Sequence, residues 1–485
     1  MTFTNAESVF CIGVGGIGVS AVARLGLWNG KTVAGSDTTE SSITQALENE
    51  GVAVKIGEQT KAGIPSECDL VVYSSAIPED NPQRVEAKER GITQLSYPEV
   101  LGELSRARKT YAIAGAHGKS TTTAMLGVIA KNAGKDPLVI VGTLVPEFAI
   151  IPSPRGGEGE GGVLNEKENT APQPPPTLGG GASPRNLWAG ESDILIVESC
   201  EFSGHFNYLD VDGLIVTNID ADHLDHFGSQ DAIDAAFKEF AEKCNGPIIA
   251  YGDNQGNRRV LKDIAGVVWY SKDDDPGLEL SVPGEYNVLN ALAALKMAEE
   301  IGVDKEVAVE SLRNFKGTWR RFEHVGSYSP RHSDSPLAEK NLGERSFVDT
   351  QSPQDDDSIP VISDYAHHPK EIEVTIQAAK EKYPESQILV IFQPHQRHRT
   401  KMLLEGFVAS LSKADKLIVS EIYDVEGREL GEAVSSKDIT SQIEGAVFTK
   451  DLEETELKVK ELVTDNDVLL FMGAGDIDSV ARKLA

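Results

Sequence analysis

The sequence predicts an α/β protein with parallel sheets, divided into three domains. Short apolar runs alternate with helix-period segments along most of the chain, the pattern of strands joined by crossover helices. Two glycine-rich turns, at 13–18 and 115–120, each stand between an apolar strand and a helix. The 485 residues make about three domains at about 150 residues each.

The first domain spans 1–105. Apolar runs predict strands over 8–14, 32–35, 52–56 and 70–73. Helices are predicted between them over 18–30 and 43–50, and again over 84–90. The second domain, 106–322, opens on a strand over 109–114 and a helix over 120–133. Strands follow at 138–141, 193–198 and 213–218, and an Ala/Leu-rich helix at 286–301. The third domain, 323–485, repeats the alternation, with strands at 361–363, 387–392, 416–420 and 467–472. Two stretches break the pattern. Residues 151–187 carry a Gly/Glu run and the Pro174-Pro175-Pro176 tract, and 329–358 is rich in Ser, Pro, Asp and Glu. Neither has the apolar content to offset its ordering entropy, so both are predicted to be disordered insertions.

Asp and Glu number 76 against 46 Lys and Arg, a net charge of −30. Such a surface repels nucleic acid and anionic membrane, so neither is an expected partner. Anionic small molecules then need local Lys or Arg side chains, backbone N–H groups or metal ions. Cys11, Cys68, Cys200 and Cys244 show no CxxC spacing. Reduced thiols in the cytoplasm are the expectation, without a disulfide framework or a cysteine zinc site. No apolar run reaches the roughly 18 residues of a membrane span, and the N-terminus lacks a signal-peptide pattern.

The first glycine turn, Gly13-Val14-Gly15-Gly16-Ile17-Gly18, satisfies GxGxxG. Its glycines let the backbone approach a diphosphate at a helix N-terminus. Asp37 follows the second strand, where an acid would bind a ribose. Alone, this pattern suggests a nicotinamide oxidoreductase. The second turn reads Gly115-Ala116-His117-Gly118-Lys119-Ser120-Thr121. Its backbone N–H groups would cradle ATP phosphates, Lys119 would neutralise the β/γ oxygens, and the Ser120 hydroxyl would ligate Mg²⁺. It is a shortened variant of the phosphate loop, with Ile113 where the longer pattern has glycine. A hydride-transfer enzyme has no need of this second turn. Glu198 ends a strand, and His223 lies in an acid-rich turn after another. A carboxylate and an imidazole so placed would hold Mg²⁺ against phosphate oxygens.

These segments resemble the Mur ligases. The matching stretches run in order from GVGGIGVSAVA at Gly13 through SSAIPEDNPQ at Ser74, GAHGKSTTTAML at Gly115 and VESCEFSGHF at Val197. TNIDADHLDHFG at Thr217, GEYNVLNALAAL at Gly284, GTWRRFE at Gly317, DYAHHPKEI at Asp364, FQPHQRHRT at Phe392 and MGAGDI at Met472 complete them. The resemblance covers the chain outside the two insertions. It implies a Rossmann-like first domain holding a UDP-sugar, a central P-loop-type ATPase domain and a Rossmann-like third domain supplying an amino acid. The implied reaction joins L-alanine to the lactyl carboxylate of UDP-N-acetylmuramate through an acyl phosphate, with ATP as co-substrate and two Mg²⁺ ions. A monomer or homodimer is implied.

By the same resemblance Gly15, Gly16, Ile17, Gly18, Asp37, Ser74 and Ser75 bind the UDP-sugar. Gly115, His117, Gly118, Lys119, Ser120 and Thr121 hold ATP phosphates, and Asn287 and Asn290 face the adenine. Ser120 and Glu198 bind one Mg²⁺ and His223 a second. Arg320, Arg321 and Asp364 approach the phosphates, and His367, His368, His395 and Arg399 shape the alanine pocket. The segment at Glu198 reads ESCEFSG where EADESD is frequent, which replaces two of its acids, and Tyr286 replaces a usual histidine. A related ligase that recycles a murein tripeptide is the alternative within the family.

Overall fold

The structure, a computed structural model, describes residues 1–149, 184–220, 227–329, 358–424 and 434–485. His223 and most of both expected insertions fall outside them. Among the described residues, no helix is long and apolar enough to cross a membrane.

Among the described residues three sheets form, one for each expected domain. The first contains β1 (Ser8–Ile12), β2 (Thr32–Asp37), β3 (Ala53–Ile56), β4 (Leu70–Tyr73) and β5 (Thr93–Ser96). Its order is β3-β2-β1-β4-β5, parallel throughout. The chain reverses its direction of travel across the sheet beside β1, and the glycine turn leaves the carboxyl end of that strand. Open parallel sheets bind ligands at such a point.

The second sheet contains β6 (Lys109–Ala114), β7 (Leu138–Val145), β8 (Arg185–Ala189), β9 (Ile194–Glu198), β10 (Gly213–Val216), β11 (Ile248–Tyr251) and β12 (Val267–Tyr270). The order β12-β11-β10-β6-β9-β7-β8 puts β6 at the centre, with β10 and β9 on either side. β6 is almost wholly buried and reads as a continuous run, Thr-Tyr-Ala-Ile-Ala after Lys109, as a strand covered on both faces must. The second glycine turn follows it directly. Expected insertion 151–187 is corrected at its end, because β8 pairs antiparallel with β7 from Arg185 onward. Leu187 and Ala189 are buried there, and Asn186 is buried with hydrogen bonds to Arg24 and Ser20. Proximity to a proline-rich tract hid a short strand of mixed polarity.

The third sheet contains β13 (Glu323–Tyr328), β14 (Ile359–Asp364), β15 (Gln387–Phe392), β16 (Lys416–Ser420), β17 (Val447–Thr449) and β18 (Asp467–Met472). Its order is β13-β14-β18-β15-β16-β17, with β13 antiparallel at the edge.

The chain packs into two compact units. Met1–Pro276 with Asn290–Leu312 form the first, and Gly277–Leu289 with Arg313–Ala485 form the second. The expected border near 106 therefore separates two sheets inside one unit. One apolar cluster runs through both sheets, from Val9 and Leu25 to Val197 and Leu214. A buried polar knot reinforces it. Arg24, 2% exposed, pairs with Glu50 at 2.9 Å and donates to Asn186 at 2.6 Å. Arg185 reaches the same Glu50.

Candidate active site

The glycine turn after β6 is built by the strands on both sides. Ala116 N–H donates to the Asn218 carbonyl, and His117 N–H to the Asn218 side chain at 2.9 Å. The His117 carbonyl accepts from Thr217 Oγ1 at 2.6 Å and Asn218 Nδ2 at 3.0 Å. These bonds fasten the turn to the end of β10. Gly118, at φ 85°, caps the Lys119–Asn132 helix in the left-handed region. A Cβ at Gly118 would lie 2.4 Å from Asn290 Oδ1, so only glycine admits this approach. The helix has no side-chain cap, and its first-turn N–H groups point out of the helix end, as an anion requires.

Lys119 folds back over this turn. Its Nζ donates to the carbonyls of Gly115 and Ala116 and pairs with Glu201 at 3.1 Å. Burial acts to lower its pKa. The charges of Glu201, Cys200 and Glu198 outweigh burial and hold it above the ordinary lysine range. Lys119 is thus a fixed cation. Ser120 Oγ donates to Glu198 Oε1 at 3.0 Å, and Glu198 Oε2 accepts from Gly142 N–H at 2.7 Å. The turn after β6, the end of β9 and the Gly142 segment of β7 therefore meet at one sheet edge.

The structure brings Gly115, His117, Gly118, Lys119, Ser120, Thr121, Glu198 and Asn290 into one region. Glu201 was not among the expected residues, although it is 2% exposed and is the acid that holds Lys119. The helical turn at Phe202–Tyr208 starts directly after it. The ESCEFSG departure therefore leaves the acid nearest the lysine in place. Its sequence signal was its place in VESCEFSGHF, three residues beyond Glu198.

At the first glycine turn, Gly13 and Val14 N–H groups both donate to the Ser36 carbonyl. Gly15 N–H donates to Asp37 Oδ2 at 2.8 Å. The Asp37 carboxylate thus braces the turn from below, a role that spacing alone did not separate from ribose binding. Gly16 caps the Ile17–Trp28 helix with no side-chain bond, which leaves that helix end open. Ser74 stands beside Gly13, whose Cβ would lie 3.4 Å from the Ser74 Cβ, and Ser75 is exposed next to it.

The remaining expected residues lie in the second unit. Asp364, at the end of β14, is buried and accepts from Phe322 and Ala366 N–H groups, each at 2.7 Å. Burial pushes its carboxyl up to about 6, against the pull of Arg321 and of those two bonds. Arg320 is 6% exposed and donates to the Gly473 carbonyl. Arg320 and Phe322 both adopt positive φ, 54° and 52°, a strained backbone of the kind that clusters at functional segments. Arg321 is half-buried, 3.9 Å from Glu371 and over the Tyr365 ring.

His367 Nδ1 lies 3.0 Å from the Tyr365 carbonyl and 3.3 Å from Glu371. Burial lowers its pKa, with Glu371 opposing and Arg399 adding to the fall. His395 stacks on Tyr423 and meets the His367 ring edge-on at 6.4 Å. His367, His395 and Arg399 therefore share one region. His368 does something else as well: it caps the Pro369–Lys382 helix, reciprocally with Glu371. Asn287 is buried and donates to the Pro283 carbonyl at 2.7 Å. Tyr286 packs against the core of the third sheet, so the ring that replaces the usual histidine serves this packing.

Residues 8–109 match the model described as Mur ligase family, catalytic domain. Residues 113–276 match the Mur ligase middle domain, and 350–475 the Mur ligase, glutamate ligase domain. A UDP-N-acetylmuramate–L-alanine ligase of Caldanaerobacter subterraneus subsp. tengcongensis is 33% identical over 98% of this chain and 97% of its own. One from Aquifex aeolicus is 33% identical over 96% of this chain and 94% of its own. The solved UDP-N-acetylmuramate-alanine ligase of Thermotoga maritima superposes with a TM-score of 0.74 at 25% identity, covering 99% of this chain and 98% of that one. A murein peptide ligase from Psychrobacter arcticus, at 21% identity and a TM-score of 0.65, shares the fold.

Proposed function

The chain belongs to the Mur ligase family, and on that premise we propose that it joins L-alanine to UDP-N-acetylmuramate with ATP as co-substrate. A carboxylate does not react with an amine until one of its oxygens becomes a leaving group. The lactyl carboxylate attacks the γ-phosphorus of ATP, the bond to ADP breaks, and an acyl phosphate forms. The L-alanine nitrogen then attacks the acyl carbon, and phosphate leaves with the electron pair as the amide forms.

The single observation that carries this reading is the Lys119, Ser120, Glu198 and Glu201 cluster at an uncapped helix end. The first-turn N–H groups and the Gly115–Thr121 loop receive the phosphates. Lys119 opposes the repulsion between two anions that must meet. The residues also fit Mg²⁺: Ser120 Oγ and Glu198 Oε1 are two oxygen donors 3.0 Å apart, the hard ligands this ion takes together with phosphate oxygens and water. When bound there, Mg²⁺ would supply neutralisation of the γ-phosphate. His223 would hold a second ion.

The open helix end at Gly16 takes the UDP diphosphate, with Ser74 and Ser75 beside it. The second glycine turn with Lys119, which hydride transfer does not need, supports this reading over a nicotinamide one. Asn290 and Asn287 face the adenine. Arg320, Arg321 and Asp364 serve the phosphates, while His367, His395 and Arg399 receive L-alanine. Use of ATP supports a cytoplasmic setting.

Lys119→Ala tests the assignment. Phosphate release is expected to fall by about 100-fold or more, while UDP-N-acetylmuramate still binds in calorimetry. Loss of sugar-nucleotide binding in this variant would contradict the division of labour between the two glycine turns.

A further inference from the structure

Tyr97 opens the Tyr97–Arg106 helix, where Ser96 and Glu99 form a capping box. Its ring lies against the start of the glycine-turn helix. A Cβ at Gly18 would come within 2.8 Å of Tyr97 Cζ, the carbon that carries the hydroxyl. The polar end of the ring, and not its base, therefore lies against Gly18 in the first turn of that helix. Further along, the same helix packs at Gly102 against the Tyr208 carbonyl, in the turn that follows Glu201. One helix thus touches both the first glycine turn and the end of the segment that follows Glu201.

The Tyr97 phenol is pushed above the ordinary tyrosine range by burial and then by the charges of Glu198 and Cys200. It is therefore a neutral donor in the field of the Glu198 carboxylate. Among the described residues its hydroxyl has no hydrogen-bond partner. Its substrate must span this interval, because the diphosphate rests at one end and the lactyl carboxylate must meet the γ-phosphate at the other. Both ends lie in the first compact unit.

We propose that Tyr97 contacts the muramyl portion of UDP-N-acetylmuramate, donating its hydroxyl to an oxygen of the sugar or its substituents between the glycine turn and Glu198. The proposal rests on the reading of Gly15–Gly18 as the diphosphate site. It makes Tyr97 a specificity residue that distinguishes the muramyl nucleotide from UDP alone.

The test is calorimetric titration of UDP and of UDP-N-acetylmuramate into the wild-type chain, Tyr97→Phe and Gly15→Val, with steady-state kinetics for the first two. The phenylalanine keeps the ring against Gly18 and removes only the hydroxyl. Affinity and KM for UDP-N-acetylmuramate are expected to worsen about three- to tenfold, the worth of one neutral hydrogen bond. UDP affinity and the KM for ATP stay as in wild type. Equal loss for UDP and the sugar nucleotide would overturn the proposal, since Tyr97 would then merely prop the turn. No loss for either ligand would overturn it too. Gly15→Val places a side chain against Asp37, where even a Cβ would meet Oδ2 at 2.9 Å, and is expected to weaken both ligands. If it weakens neither, the diphosphate reading itself fails. If it weakens both while Tyr97→Phe is silent, only the Tyr97 inference fails.

Discussion

Lys119 keeps its charge while buried because Glu201 sits 3.1 Å away. Glu201→Gln removes that carboxylate and leaves the burial that lowers the lysine pKa. The alkaline limb of the pH–rate profile should then move toward neutral pH, and phosphate release should fall about tenfold, the scale of one charge-assisted hydrogen bond. An unmoved alkaline limb would show that Glu201 does not set the charge of Lys119. Asp364 gives a second pH signature. Its folded pKa of about 6 exceeds the ordinary 3.8, so the folded state binds the proton more tightly. The resulting stability is fully present below pH 3.8 and is lost as pH rises through about 6. Relative to Asp364→Asn, wild type should lose about 3 kcal/mol across that window, measured by urea unfolding at several pH values. A flat difference would contradict the buried, raised carboxyl. These three residues differ in how far the sequence revealed them. Lys119 and Asp364 stand inside motifs that gave them roles, whereas Glu201 stands in VESCEFSGHF without one. Glu201 is 82 residues from Lys119, and only the pairing of β6 with β9 brings them together.

The elements that position the site were legible where one driving force dominated. β4, β6, β15, β16 and β18 are buried apolar runs, and their observed bounds equal those expected. β5 was missed because Thr-Gln-Leu-Ser offers one apolar side chain at a sheet edge. β13 was missed for a related reason: it is an antiparallel edge strand with charged and small residues. The Tyr97–Arg106 helix was also overlooked, though Val100, Leu101 and Leu104 give it a buried face. Its opening capping box and Pro98 were the available signals. Glycines at element junctions carry a direct test. A Cβ at Gly142 would lie 2.6 Å from Glu198 Oε2. Gly142→Ala should therefore displace the Glu198 carboxylate and raise the Mg²⁺ concentration for half-maximal activity several-fold. An unchanged metal requirement would detach Glu198 from metal binding.

At the scale of the molecule, the proposed site would reconcile the net charge of −30 with anionic substrates through backbone N–H groups at two helix ends and Lys119 at one of them. The first unit depends on its buried polar knot. Arg24→Ala leaves Glu50 with Arg185 as its remaining cation and takes one donor from Asn186, and should cost about 1.5–3 kcal/mol, read as a lower urea midpoint. The described flanks of the 150–183 segment lie close together, because Val145 and Arg185 are register partners on neighbouring strands. Replacing it with a short linker should leave kcat within about twofold if it takes no part in the catalytic cycle. A large fall would tie the segment to a step that limits turnover. The central claim is an ATP-driven ligase whose acceptor is L-alanine. Phosphate release in the presence of Mg²⁺, ATP and UDP-N-acetylmuramate, with L-alanine, Gly, L-Ser or a murein tripeptide added in turn, tests it most directly. The account predicts release that depends on every component and is fastest with L-alanine. Release favouring the tripeptide, or none with any amine, would contradict it.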